Sequence, residues 1–290
     1  MGNRPDLRYE PRLGLALGGG GALGAAHVGV LQELAKRGIH PSIVVGTSAG
    51  AVIGAAYAAG FDLDELEEIV VGSSWGDFGT FAFTPGLGFL DTDGLRATID
   101  RLTGPDLMIE DLPIRFGAVA TDLTTREVVL IDSGSVADAV CASVSIPGLF
   151  RPAKIHGHLL VDGGVVQNLP LEATFEMGAR HVIGVRLAPE WDGLPSVRTG
   201  TRVHEFEIRD DVTMIRPRIG QRSQWVTADL PGLVQAGRDA AIKALEDYPA
   251  LGLRSAVAEI PHRIAGFFRP PAPPVSGVEY PDLPGVSLSG

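Results

Sequence analysis

The stretch LALGGGGALGAAHVGVL, residues 15–31, restricts the fold of this chain more than any other part of it. An apolar run ends in four glycines, Gly18, Gly19, Gly20 and Gly21, and an amphipathic segment begins at Ala22. The spacing predicts a helix over 22–37, with Leu23, Val30, Leu31 and Leu34 inward and Gln32, Glu33, Lys36 and Arg37 outward. Gly38 stands where a C-terminal cap is expected. The first-turn amides of such a helix lack intrahelical acceptors and its dipole favours negative charge there, so strand, glycine turn and helix together make an anion site. A second strand over 42–45, the turn Gly46-Thr47-Ser48-Ala49-Gly50 and a second helix ending at 59 follow. Strand, helix, strand and helix within about fifty residues predict an α/β fold with parallel strands and right-handed crossovers.

Downstream, the pattern predicts a helix over 62–71, strands over 114–120 and 128–131, and a helix over 135–143 that stops before Pro147. A short strand over 159–161 runs into Asp162-Gly163-Gly164, with His156 and His158 flanking Gly157 in a hairpin turn before it. A helix over 171–177, a strand over 181–185 and a last helix over 230–245 complete the regular elements, and 190–211 reads as loop. Residues 72–93 hold Trp75, Phe78, Phe81, Phe83 and Phe89 among glycines with no period, as in an excursion over the core. Beyond Phe268 the chain is proline-rich and aperiodic, either a solvated tail or an extended strap. At 290 residues and 45% hydrophobic content the chain can bury one large core. The expected division is an N-terminal extension over 1–11, one α/β domain over 12–268 and the tail over 269–290.

Composition narrows the function classes. A formal net charge of −11 argues against a nucleic-acid binder, whose phosphate contacts need a basic surface. The single Cys141 leaves no internal disulfide, as in a reducing compartment. The charged start MGNRPDLRYEPR lacks the apolar core of a signal peptide, and the small apolar run 49–59 is shorter than the ~20 residues of a membrane-spanning helix. These features predict a cytoplasmic location with, at most, peripheral contact with a membrane.

The anion at the glycine loop has three readings. Gly19-Gly20-Gly21-Ala22-Leu23-Gly24 fits the GxGxxG dinucleotide fingerprint, but the acid that would hold the ribose at the end of the second strand is replaced by Gly46-Thr47-Ser48. A phosphate-binding P-loop needs a Gly-Lys-Ser or Gly-Lys-Thr that this loop lacks. The third reading comes from Gly46-Thr47-Ser48-Ala49-Gly50, a GxSxG turn of the kind that raises a serine on a strained strand-to-helix corner. Adjacent parallel strands would then end side by side, one carrying amide donors and the other a serine, the arrangement that stabilises an oxyanion formed at that serine. A serine needs a base. None of the seven histidines, His27, His40, His156, His158, His181, His204 and His262, has a compelling context, whereas Asp162 ends an apolar strand ahead of two glycines.

The glycine loop, Gly46-Thr47-Ser48-Ala49-Gly50, Ala142-Ser143-Val144-Ser145-Ile146-Pro147-Gly148-Leu149-Phe150 and Leu160-Val161-Asp162-Gly163-Gly164 together resemble the patatin-like phospholipases, especially their compact bacterial members. The resemblance runs from about residue 13 to 185 and is fainter at Ile215-Arg216-Pro217 and the helix ending near 245. It implies a three-layer α/β/α fold with a mainly parallel central sheet and a serine hydrolase with a Ser-Asp dyad and no catalytic histidine. Carried over position by position, Ser48 is the nucleophile, Asp162 the base, and the amides of Gly19, Gly20 and Gly21 the oxyanion hole. It implies acyl esters of lipids as substrates, an acyl-enzyme intermediate, and no cofactor or metal. The aromatic span 72–90 is then either an apolar cover that meets lipid or a capping segment. One position departs from the family pattern: Leu23 stands where the loop usually carries Arg or Lys. Two other readings stay open, a member that binds lipid or a protein partner without catalysis and, more distantly, a nucleotide-binding enzyme.

Overall fold

The computed structural model describes residues 10–72, 93–187, 205–246 and 248. The aromatic span 73–92, most of the loop anticipated over 190–211, and the proline-rich tail lie outside the described residues, as do His204 and His262.

The strands are β1 (Glu10–Leu17), β2 (Pro41–Thr47), β3 (Arg115–Asp122), β4 (Val128–Ile131), β5 (Ala153–Ile155), β6 (His158–Asp162), β7 (His181–Val185) and β8 (Val212–Ile215). The helices are α1 (Ala25–Lys36), α2 (Ala49–Ala58), α3 (Leu63–Gly72), α4 (Asp93–Thr103), α5 (Val136–Ser143), α6 (Leu171–Glu176) and α7 (Leu230–Ala244). One sheet runs in the order β5-β6-β3-β2-β1-β7-β8, with β4 also paired to β3. The pairings β1 with β2, β1 with β7, β2 with β3 and β7 with β8 are parallel; those of β3 with β4, β3 with β6 and β5 with β6 are antiparallel.

Side chains alternate between the two faces of a strand, and this sorts the core into two parts. Leu13, Leu15, Leu17, Val44, Phe116 and Ala118 pack into the larger cluster with α1, α2, α5 and α7. Ala16, Ile43, Val45 and Val119 face the other way, onto Leu171, Ala173 and Met177 in and beside α6. Helix, sheet and helix therefore form the three expected layers.

Three elements carried no expectation from sequence. The strands β5 and β8 have three and four residues and a single buried side chain each, Ala153 and Ile215, so alternation has too little to register. The helix α4 has an amphipathic sequence, DGLRATIDRLT, with Leu95, Ile99 and Leu102 buried. Two boundaries also shift. The strand β1 begins at Glu10, paired to Pro41 across a register break at Arg12, whose φ is 67°. The first turn of the predicted helix over 22–37 is a separate 3₁₀ turn, Gly21–Gly24, opened by Gly21 at φ 54°.

The sheet's central irregularity positions the site. Over Ala118 to Thr121, β4 occupies one edge of β3. The other edge is taken by β2 as far as Val119, opposite Thr47, and then by the antiparallel β6 from Ala120, opposite Asp162. The carboxyl ends of β2 and β6 therefore meet head to head on β3.

Candidate active site

Ser48 is the single residue between β2 and α2 and holds φ 53° and ψ −120°. That conformation costs a non-glycine residue on the order of 1–3 kcal/mol, so its surroundings must enforce it. A Cβ added at Gly46 would lie 2.3 Å from the Gly50 carbonyl oxygen, and one at Gly50 would lie 2.1 Å from that of Leu17. Glycine at both positions is what lets the corner close against β1. From behind, the Ser48 amide donates to Ser143 Oγ at 2.8 Å, and the Ser143 hydroxyl donates to the Val119 carbonyl at 2.6 Å. The end of α5 and the backbone of β3 thus fix the serine.

Asp162 arrives from the opposing strand end. Its amide donates to the Ser145 carbonyl at 2.9 Å, and its Oδ1 accepts from the Gly164 amide at 2.7 Å. A Cβ at Gly163 would stand 2.2 Å from the Val119 carbonyl oxygen, so the Asp-Gly-Gly turn lies directly on β3. The Thr47 hydroxyl donates to the Gln167 carbonyl at 3.1 Å and ties the loop beyond Asp162 to the serine corner. Ser48 and Asp162 are both buried, 8% and 6% exposed, and their side chains are hydrogen-bonded. Burial pushes the Asp162 carboxyl up to about 6, against the Ser48 and Gly164 hydrogen bonds, which favour the charged form.

The glycine loop divides its amides between structure and cavity. Gly18 donates to the Val185 carbonyl and Gly19 to that of Asn168, both at 3.0 Å, while Ala22 donates to the Gln224 carbonyl at 2.9 Å. The amides of Gly20 and Gly21 have no hydrogen-bond partner among the described residues. Both residues line a cavity with Ser48, Asp162, Asn168 and Gln224. The expectation for Gly19 as an anion donor needs correction, because its N–H is already committed to Asn168. Gly19 instead keeps the loop close: a Cβ there would stand 3.3 Å from Ser48 Cβ.

At Ser48 this cavity adjoins an apolar cleft lined by Val52, Ile53, Leu95, Val144, Phe150 and Leu230, among others. No histidine lines either space among the described residues. His27 lies behind the loop, its Nε2 2.8 Å from the Gly18 carbonyl, and burial lowers its pKa to about 4. His158 Nδ1 is bonded to Asp122 Oδ2 at 2.5 Å, and His181 Nε2 to Thr213 Oγ1 at 2.8 Å. Leu23 is 1% exposed within the larger core cluster. Among the described residues no group of His, Cys, Asp and Glu is arranged to hold a metal ion, and no helix is long and apolar enough to cross a membrane.

Three contributors carried no role from sequence. Ser143 lies inside a recognised motif, but only the fold shows that it holds the Ser48 amide. Asn168 and Gln224 come from loops far apart in the chain and meet at the glycine turn through backbone carbonyls, which leave no trace in a side-chain pattern.

A profile of the patatin-like phospholipases matches residues 15–175. An uncharacterised NTE family protein of Mycobacterium tuberculosis is 36% identical over 201 residues, covering 65% of this chain and 54% of the relative. Patatin-like phospholipase domain-containing protein 7 of Rattus norvegicus is 34% identical over 182 residues, covering 60% of this chain and 13% of that protein. The chain thus spans about half of the mycobacterial relative and a small part of the rat one. The crystal structure of VipD from Legionella pneumophila shares the fold, with a TM-score of 0.58 at 16% identity over 82% of this chain and 67% of VipD.

Proposed function

This chain belongs to the patatin-like phospholipase family, and from that premise we propose that it is a serine-dependent lipid acyl hydrolase working through a Ser48-Asp162 dyad. The observation that carries this reading is the strained, buried Ser48 bonded to a buried carboxylate, in a cavity that also presents two unpartnered backbone amides. Asp162 takes the hydroxyl proton as Ser48 Oγ bonds to the ester carbon, and the carbonyl electrons move onto oxygen. The Gly20 and Gly21 amides meet that oxyanion; removing one such donor elsewhere costs about 10²–10³ in rate, so two suffice without a cation at position 23. Collapse breaks the bond to the leaving alcohol, which receives the proton from Asp162. Water then attacks the acyl-enzyme, giving its proton to the same carboxylate, which passes it to Ser48 Oγ as the bond to the acyl carbon breaks and the acid leaves. A carboxyl with a pKa near 6 suits this exchange better than an ordinary aspartate, being ionised at neutral pH yet basic enough to take a proton.

The apolar cleft beside Ser48 fits the hydrocarbon chain of an acyl group. A fluorophosphonate probe should label the protein, and labelling should vanish in Ser48→Ala. On a series of p-nitrophenyl esters, kcat/KM should rise with acyl length. A folded wild-type protein that takes up no probe and cleaves no ester would instead place it among the family's binding members.

A further inference from the structure

The segment leaving β8, residues 216–228, carries Arg216, Arg218 and Arg222 and no carboxylate, in a chain of formal charge −11. Because β8 is parallel to β7, β1 and β2, this segment leaves the sheet at the edge where Ser48 stands. Arg216 pairs with Glu207 Oε2 at 3.3 Å and Arg222 with Asp229 Oδ2 at 2.6 Å. Arg218 is exposed and has no ion pair or hydrogen bond among the described residues, and the same holds for Lys243 of α7. All four cations line one open groove between the segment and α7, whose one carboxylate among the lining residues, Asp239, accepts from Gln235 Nε2.

The same segment then reaches the catalytic mouth. Gln224 and Trp225 line the cavity with Ser48, and Thr227 lines the apolar cleft. Trp225 and the adjacent Val226 are 43% and 52% exposed. Tryptophan settles at the headgroup level of a bilayer, arginine pairs with phosphate oxygens, and basic side chains gain free energy near an anionic leaflet.

We propose that this face, residues 216–228 with Lys243, docks the protein on a membrane surface bearing anionic phospholipids. Trp225 and Val226 enter the headgroup layer, the cations meet lipid phosphates, and the cleft mouth is held where an acyl ester can pass from bilayer to Ser48. The acidic remainder of the surface is repelled by such a membrane, which restricts docking to this face. The lipid path rests on the acyl hydrolase reading; the docking is measured without turnover.

The test is co-sedimentation of the full chain with vesicles of phosphatidylcholine alone or mixed with phosphatidylglycerol. Wild type should bind the mixed vesicles preferentially, and added salt should weaken that binding. Arg218→Glu with Lys243→Glu should lower affinity by about 10-fold or more, and Val226→Glu should also lower it, while p-nitrophenyl butyrate hydrolysis stays at the wild-type rate. Equal binding to both vesicle types, or undiminished binding by the charge-reversed variant, overturns the proposal. Binding through this face by a protein that cleaves no soluble ester upholds the docking and removes the hydrolase reading. Ester cleavage with no vesicle binding does the reverse.

Discussion

In the proposed dyad Asp162 works at a cost to stability. Its carboxyl titrates near 6 in the fold against an ordinary 3.8, so at neutral pH the ionised group opposes folding by on the order of 3 kcal/mol. Asp162→Asn removes that charge and still offers an oxygen to the Gly164 amide. Hydrolysis should fall by ~10²-fold or more while the thermal midpoint rises, measured by p-nitrophenyl ester turnover and calorimetry. In the proposed mechanism only the carboxylate accepts the serine proton, so wild-type kcat/KM should fall as pH drops through about 6. In the proposed mechanism Ser143 acts from outside the cavity, by holding the Ser48 amide. With Ser143→Ala, the Ser48 amide loses its 2.8 Å partner, and kcat should drop by about 5-fold with KM little changed, in line with a net ~1 kcal/mol hydrogen bond. Leu23 is a core side chain, so Leu23→Arg must bury a guanidinium or push it outward. That variant should melt earlier and change the rate by less than ~10-fold, under about 1.4 kcal/mol in the barrier.

At the scale of elements, the crossing of α1 and α7 sets how firmly the glycine loop is backed. A Cβ added at Gly29 of α1 would lie 1.9 Å from the Val234 carbonyl oxygen, and one at Gly237 of α7 would lie 1.9 Å from that of Ala26. The two backbones touch, so the helices meet through glycines rather than interdigitated side chains. Gly237→Ala forces them apart and should cost at least ~2 kcal/mol by denaturant unfolding, the scale of overpacking in a close-packed core. Arg37 of the loop after α1 reinforces the crossing, its Nη1 donating to the Leu245 carbonyl at 2.7 Å. Periodicity announced both helices, since Leu31 and Leu34, and Leu230, Leu233 and Val234, recur at helical spacing. It did not announce their contact, because a glycine in a helix reads as a weakness until its neighbour is known.

For the whole molecule, two buried groups among the described residues bend the response to acid in opposite directions. His27 titrates near 4 against an ordinary 6.5, so the native state holds fewer protons than the unfolded chain between those values and loses stability as pH falls through them. Asp162 acts oppositely: its native pKa is raised, the native state holds more protons between 3.8 and about 6, and stability rises as pH falls there. The two slopes offset each other over about pH 4–6. Removing one should expose the other, and Asp162→Asn should lose stability from pH 6.5 to 4 more steeply than wild type. Thermal midpoints at half-unit pH intervals would show it, and parallel curves for the two proteins would contradict the assignment. His40 and His181, whose pKa values are lowered by burial, add to the His27 slope.

The amino-acid sequence alone marked the strand–turn–helix units and the candidate residues Ser48 and Asp162. Those signals are local: an apolar run stops, a glycine permits a tight corner, and a 3.6-residue period marks one face of a helix. Gly46, Ser48 and Gly50 are legible within five residues, and Asp162 within three. Tertiary structure alone decided which groups act together. That β6 meets β2 end to end on β3, and so brings Asp162 to Ser48, is a matter of pairing between distant strands. That the Gly19 amide is taken while those of Gly20 and Gly21 have no partner among the described residues turns on the Asn168 carbonyl, 149 residues from Gly19 in the chain. A backbone carbonyl is the same at every position, so sequence carries no mark of which amide it will bind.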